Sequence, residues 1–403
     1  MLDWWELPGP SRFLEDICRD LVSGVNVIAA FPEYPPEGFR RALRRKIPTQ
    51  DGIAFDSIRV EKLSGQSPCS FLFSLFLPDD ATTRRTPNTL AAHPVMASRV
   101  IWIEQMLPTE WPAWRCFFEE FQRSAHAAAS GPVFCVPLVG PVAAAGITIN
   151  SPCMRLHRWS GCVKPLDLLL YVSERIPGDA VSRVERDTAV SVVANLALWD
   201  PHVADRLLVQ PLAAVLNPGD TLAEIARERG WPGSNIATSW ESGIVDRYAD
   251  TDRKHSAWLA AAGDLDEIAR RVWRGQVSVL FPFIEERRLD VLDVLLPHLI
   301  LPLERTGPDG VVRQVTEARR LEMADLSRQI SSLSLAYVGE IGRLVRQLRR
   351  VRNSLAHFAR QGLAVRAEEL SGPEIRDWRG VLERFQSQSA APIRARSATG
   401  RQS

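Results

Sequence analysis

The sequence predicts a multidomain α/β plus α protein, with a parallel-sheet domain first, a helical domain after it and a helical bundle at the end. Three observations carry this. Residues 1–165 alternate strand-like and helix-like segments, the order of an α/β layer domain. Residues 166–305 carry apolar residues at a 3.6-residue period. After the glycine- and proline-bearing break TGPDGVV (306–312), helical periodicity resumes to about residue 385.

Taken in order, Ser11–Gly24 reads as an amphipathic helix ended by glycine, and Val25–Phe31 as a short apolar run of buried-strand type. PEYPPEG (32–38) is a proline-laden loop, Phe39–Ile47 is helical, and SIRVEKLS (57–64) is a second strand. SRVIWIEQM (98–106), PVFCVPLVG (132–140) and MRLHRWSG (154–161) are further strands, with a Trp- and Phe-rich helix over 110–129. The middle region contains DAVSRVERDTAVSVVANLALW, DTLAEIARERG and HSAWLAAAGDLDEIARRVWRG, all helical by period. WRGQVSVLFPFIEERR (273–288) mixes bulky apolar and charged residues, as expected where a helical domain meets another. Beyond residue 312, two long helices are expected over about 314–337 and 338–361, then a shorter one over 372–385. Residues 386–403 are polar and basic with almost no core-forming residues, so a disordered tail is expected.

Composition bounds the function. The chain has 403 residues, with 49 Lys and Arg against 48 Asp and Glu, so any surface for a polyanion must be local. The start, MLDWWELPGPSRFLEDICRD, carries acids where a secretory leader would carry bases. No apolar run reaches membrane-spanning length, so a cytoplasmic protein with no membrane partner is expected. Six scattered cysteines form no CxxC pair and read as reduced, mostly buried thiols. Cys153, His157 and Cys162 have a faintly ligand-like spacing, but a structural zinc site needs four ligands and no fourth is near. No metal and no cofactor are expected. The histidines His93, His202, His255 and His298 stand isolated in sequence and read as structural or surface groups.

The most informative stretch is VRQLRRVRNSLAHFAR (345–360), with five arginines and no acid. On a helix wheel Ile341, Leu344, Val345, Leu348, Val351, Leu355 and Phe358 form one apolar stripe. Arg343, Arg346 and Arg350 fall opposite and read most simply as a solvated basic face. Arg352 lies only about 20° from Ile341, inside the stripe. A buried guanidinium without a partner costs several kcal/mol. Arg352 must therefore meet an acid, with Glu317, Glu322 and Asp325 as candidates, line a cleft, or mark a bend in the helix.

The order of β1, loop, helix, β2, β3, helix, β4 and β5 resembles a P-loop NTPase domain of the AAA or STAND sort. That resemblance puts PEYPPEG at the phosphate loop and Glu104 at the acidic Walker B place. The departure is large. The loop lacks Lys and Ser/Thr, its prolines carry no N–H, and no GK[ST] occurs in the chain, so hydrolysis at that site is expected to be lost. A plain α/β domain without NTPase ancestry is the competing reading.

RNSLAH (352–357) resembles the HEPN signature of an arginine, a polar residue and a histidine four residues further on, over roughly residues 310–385. The resemblance implies a metal-independent endoribonuclease working as a homodimer, with Arg352, Asn353 and His357 as catalytic residues. Arg346, Arg349 and Arg350 would attract the RNA backbone. The layout of sensor and RNase effector resembles bacterial conflict and antiphage systems. The alternative the same family allows is a non-catalytic subunit that docks a protein partner encoded nearby.

Overall fold

The computed structural model describes residues 3–47, 52–60, 65–80, 83–125, 131–144, 154–176, 182–232, 236–306, 310–333, 338–356 and 365–389. Compact packing divides the chain into two units. The first comprises residues 1–175, 197–206 and 220–264, and the second residues 176–196, 207–219 and 265–403. The segment drawn from the sequence over 306–385 lies within the second unit. No helix among the described residues is long and apolar enough to cross a membrane.

The first unit is built on a five-stranded parallel sheet. Its strands are β1 (Asn26–Phe31), β2 (Ala54–Arg59), β3 (Arg99–Glu104), β4 (Val133–Val139) and β5 (Met154–Arg158), in the order β2-β3-β4-β1-β5. β1 is buried along its whole length, as a strand covered on both faces requires. On one face α1 (Pro8–Val22) and α2 (Phe39–Lys46) pack an aromatic cluster of Trp5, Phe13, Phe31, Phe39 and Trp159. On the other, α3 (Pro68–Phe76) and α4 (Pro87–Ala92) bring Leu72, Phe73 and Leu90, and α5 (Trp111–Ala125) brings Trp114, Phe117, Phe118 and Phe121, into one core with Ile28, Ile101 and Phe134. Pro137 is tolerated within β4 because the pairing to β3 ends at Cys135.

β2 begins three residues before the expected strand, since its pairing with β3 runs from Ala54 opposite Arg99 to Arg59 opposite Glu104. The region after α6 (Pro141–Ala144), β5 and α7 (Pro165–Ser173) is helical as expected, with α8 (Arg183–Ala197), α9 (Pro201–Leu208), α10 (Leu212–Leu216) and α11 (Gly219–Glu228). It also holds an unexpected hairpin of β6 (Val245–Tyr248) and β7 (Thr251–Lys254). Its two turn residues, Ala249 and Asp250, both have positive φ, the geometry of a tight primed turn. α12 (Ser256–Ala261) follows.

In the second unit α13 (Leu265–Leu295) is the central rod, 31 residues long with Pro282 inside it. Gly275 brings α8 close, for a Cβ there would lie 2.6 Å from the Cα of Val192. A second hairpin, β8 (Leu303–Thr306) with β9 (Val312–Val315), stands where the sequence suggests a break and the start of a long helix. The helices that follow are α14 (Met323–Ser332) and α15 (Val338–Ala356), and later Pro373–Arg376 and Trp378–Ser389. Leu280, Ile284 and Leu292 of α13 share one core with Leu326, Leu344, Leu348 and Phe385.

Candidate functional site

α15 buries Ile341, Leu344, Val345, Leu348, Val351 and Leu355, the stripe expected of it. Arg346, Arg349, Arg350 and Asn353 are exposed, and the three arginines make no ion pair among the described residues. His357 and Phe358 lie outside the described residues.

Arg352 departs from the wheel. Its side chain is 38% exposed, so it is not enclosed in the core. The reason is the drift of a helical stripe. An ideal helix slips about 20° per heptad against a straight seam. The buried line therefore passes from Ile341 and Val345 to Val351 and Leu355, which leaves Arg352 on its flank. The acid it meets is none of the three expected. Glu317 pairs with Arg320 at 3.2 Å, while Glu322 and Asp325 are both held by Arg305. Glu285 of α13 supplies the carboxylate, 3.9 Å from Arg352 Nε, and is itself fixed by Arg288 at 2.8 Å.

α13 also grips α15 and the chain beyond it. The Trp273 indole N–H donates to the Leu355 carbonyl at 2.9 Å. The buried Gln276 amide donates to the Val365 carbonyl at 2.6 Å and accepts the Val365 N–H at 3.0 Å. Glu285, Trp273 and Gln276 were not legible as partners of the motif, because nothing in a linear pattern pairs residues so far apart.

The loop after β1 is committed to intramolecular bonds. Pro32, Pro35 and Pro36 have no N–H to give. The Glu33 N–H donates to the Glu241 carbonyl at 2.8 Å. The Tyr34 hydroxyl donates to the Arg229 carbonyl at 2.6 Å, and the Trp5 indole to the Glu37 carbonyl at 2.6 Å. A cavity of about 570 Å³ adjoins the loop, and Glu33, Glu37, Asp200, Asp205 and Glu228 line it. His202 and Arg229 also line it, but the five carboxylates outnumber them, a balance that opposes a polyphosphate.

Glu104 ends β3 as expected, but it is engaged sideways. Arg40 and the Ser57 hydroxyl hydrogen-bond its carboxylate, and Arg59 lies 3.9 Å away. Asp200, Arg229 and His255 form a buried cluster behind the loop, so His255 is not isolated. The His255 Nδ1 accepts the Ala257 N–H, which leaves Nε2 facing Asp200 at 2.9 Å. Burial pushes the Asp200 carboxyl up, but Arg229 and the hydrogen bond to His255 outweigh it and hold the group well below the usual range. With both ring nitrogens engaged, this histidine has no nitrogen for a substrate.

His157 is likewise taken, its Nε2 lying 2.7 Å from Asp20, and burial pushes the Cys162 thiol up to about 12. Cys153 lies outside the described residues. Among the described residues no group of His, Cys, Asp and Glu side chains is arranged to hold a metal ion.

No family model matches this chain. A stretch of 174 residues is 28% identical to ribosomal RNA small subunit methyltransferase G of Sorangium cellulosum (strain So ce56). The similarity takes in 40% of this chain and 72% of that protein.

Proposed function

We propose that the chain is a HEPN-type, metal-independent endoribonuclease effector of a bacterial conflict or antiphage system, with RNA as substrate. In this reading the first unit is a degenerate P-loop-like domain, regulatory rather than hydrolytic, and two protomers pair through the C-terminal helices. The observation that carries the reading is the exposed flank of α15. Three arginines without ion pairs, Arg346, Arg349 and Arg350, precede a half-exposed Arg352 and an exposed Asn353 on the helix. Such a strip attracts a phosphate backbone. The similarity to a protein named for ribosomal RNA supports RNA as the partner class. The sheet order supports the P-loop part, because β4 separates β1 from β3, unlike the 3-2-1-4-5-6 order of dinucleotide-binding sheets.

The chemistry follows from the residue types. RNA carries its own nucleophile, the 2′-OH. Its oxygen attacks phosphorus, the bond to the 5′ oxygen breaks, and the products are a 2′,3′-cyclic phosphate and a 5′-OH. His357 moves the proton between these oxygens, the general acid–base work for which an imidazole is suited. Arg352 holds the scissile phosphate through its planar fork, and Asn353 orients it.

The test is cleavage of RNA by the full chain in EDTA. The reading expects cyclic-phosphate ends, loss of cutting in His357→Ala, and near-loss in Arg352→Lys, whose ammonium lacks the fork. The ion pair of Arg352 with Glu285 favours a second reading, a non-catalytic subunit in which the arginine is structural. An intact, well-folded chain that cuts no RNA and co-purifies with a partner protein would establish that alternative.

A further inference from the structure

The second unit holds a cavity of about 710 Å³ on a face of α13 that carries Val279, Pro282, Phe283 and Glu286. This volume lies within the range of pockets that enclose small organic ligands. Its wall is an aromatic and guanidinium stack. The Arg287 guanidinium carbon lies 3.6 Å from the Trp378 ring centroid and 5.4 Å from that of Phe283. Arg379 lies 5.1 Å from the same indole, is exposed and has no ion pair among the described residues. Arg183 stands at the rim with its side chain 91% exposed and Asp187 at 3.5 Å.

The chemistry of this lining is specific. Indole and guanidinium planes are what an unpaired nucleobase stacks on. The rim also carries Asp187, Glu286 and Asp377, paired with Arg183, Arg287 and Arg384, and their remaining lone pairs suit a ligand with N–H donors better than a bare anion. A base presents both donors and acceptors at its edge, and its flanking phosphates suit Arg183 and Arg379. The cavity is also joined to the basic helix. Arg343 of α15 binds Glu374 at 2.6 Å, and the next residues of the chain, Ile375 to Arg379, line the cavity.

We propose that this cavity is a base-binding subsite for single-stranded RNA, with Trp378 as its stacking wall, braced from behind by Arg287 and its ion pairs to Glu286 and Asp290, and with Arg183 and Arg379 contacting phosphate. The proposal rests on the RNA reading of α15 and adds to it a preference for unpaired strands. Duplex RNA cannot offer a base to such a cavity without unstacking it.

The test is equilibrium binding of the full chain to a labelled oligouridine of roughly 12 nucleotides, 2′-O-methylated to block cleavage, and to a duplex of equal length. Arg183→Glu with Arg379→Glu is expected to weaken oligouridine binding about 10-fold and duplex binding less than about 2-fold. Trp378→Phe, which keeps a stacking face, is expected to stay within about 3-fold of wild type, and Trp378→Leu to lose about 10-fold. If the arginine reversal leaves oligouridine binding intact while Arg349→Glu with Arg350→Glu abolishes it, the subsite is overturned and the RNA reading stands. Equal losses on both probes would also overturn the subsite. If wild type binds neither probe, both readings fall together.

Discussion

Gln276 and Val365 are joined by two hydrogen bonds, one in each direction, between a side-chain amide and the backbone N–H and carbonyl of one residue. Both residues are buried, so no water replaces either bond. Gln276→Met keeps the side-chain length but orphans an N–H and a carbonyl. The expected loss is about 3 kcal/mol, since each unsatisfied buried group costs about 1–3 kcal/mol. Urea unfolding of the full chain measures it, and a loss under about 0.5 kcal/mol would show that the segment relaxes to other partners.

The basic flank of α15 makes a separable prediction. Arg349→Ala and Arg350→Ala should each weaken binding of every RNA sequence to a similar degree. Each should also lower the salt dependence by about 0.7 in the slope of log affinity against log salt for single strands. Fluorescence anisotropy across a potassium chloride series reads both quantities. An unchanged slope would mean that these side chains meet no phosphate.

The loop after β1 predicts indifference to nucleotide. ATP with magnesium at millimolar concentration should leave the melting temperature within about 1 °C, because a ligand stabilises a fold only as far as it binds the native state. Pro32, Pro35 and Pro36 offer no N–H and the Glu33 N–H is given to Glu241, so the loop lacks the run of free donors that a phosphate cradle needs. A saturable rise of several degrees would require that loop to rearrange.

Asp246 predicts a pH dependence. Burial raises its carboxyl to about 6 from 3.8, even though Ser160, Gly161 and the Arg247 N–H all donate to it. The folded value lies above the unfolded one, so the native state holds the proton more tightly. This contribution to stability is full below about pH 4 and lost as pH rises through 6. Asp246→Asn keeps Oδ1 as an acceptor and removes the charge. It should be more stable than wild type at pH 8, by about 1–3 kcal/mol, with the gap closing near pH 4. Thermal unfolding at both values decides it, and a less stable variant at pH 8 would refute it.

The strongly apolar strands were legible in the sequence. VNVIAAF and PVFCVPLVG lie at the centre of the sheet, where burial on both faces demands continuous apolar runs. The hairpins were not, for VDRY, TDRK, LERT and VRQV mix charged and apolar residues over four positions and give no strand signal. The apolar stripe of α15 is legible in the sequence up to Leu355, but the flank position of Arg352 is not, because a fixed wheel ignores the drift of a packed seam. The closure of the loop after β1 was half visible. Its prolines announce missing donors, but the partners of Glu33 and Tyr34 come from residues about two hundred positions away.

α13 carries Trp273, Gln276, Glu285 and Arg287 on one continuous helix. Each added residue turns a helix by about 100° and lengthens it by about 1.5 Å. Between Trp273 and Arg287 the rod therefore admits exchanges of one side chain for another, but no change in length. One inserted residue would leave Trp273 and Gln276 at their partners and swing Glu285 and Arg287 away from theirs. In descendants of this chain, insertions and deletions should be absent from that span even where its sequence has diverged widely.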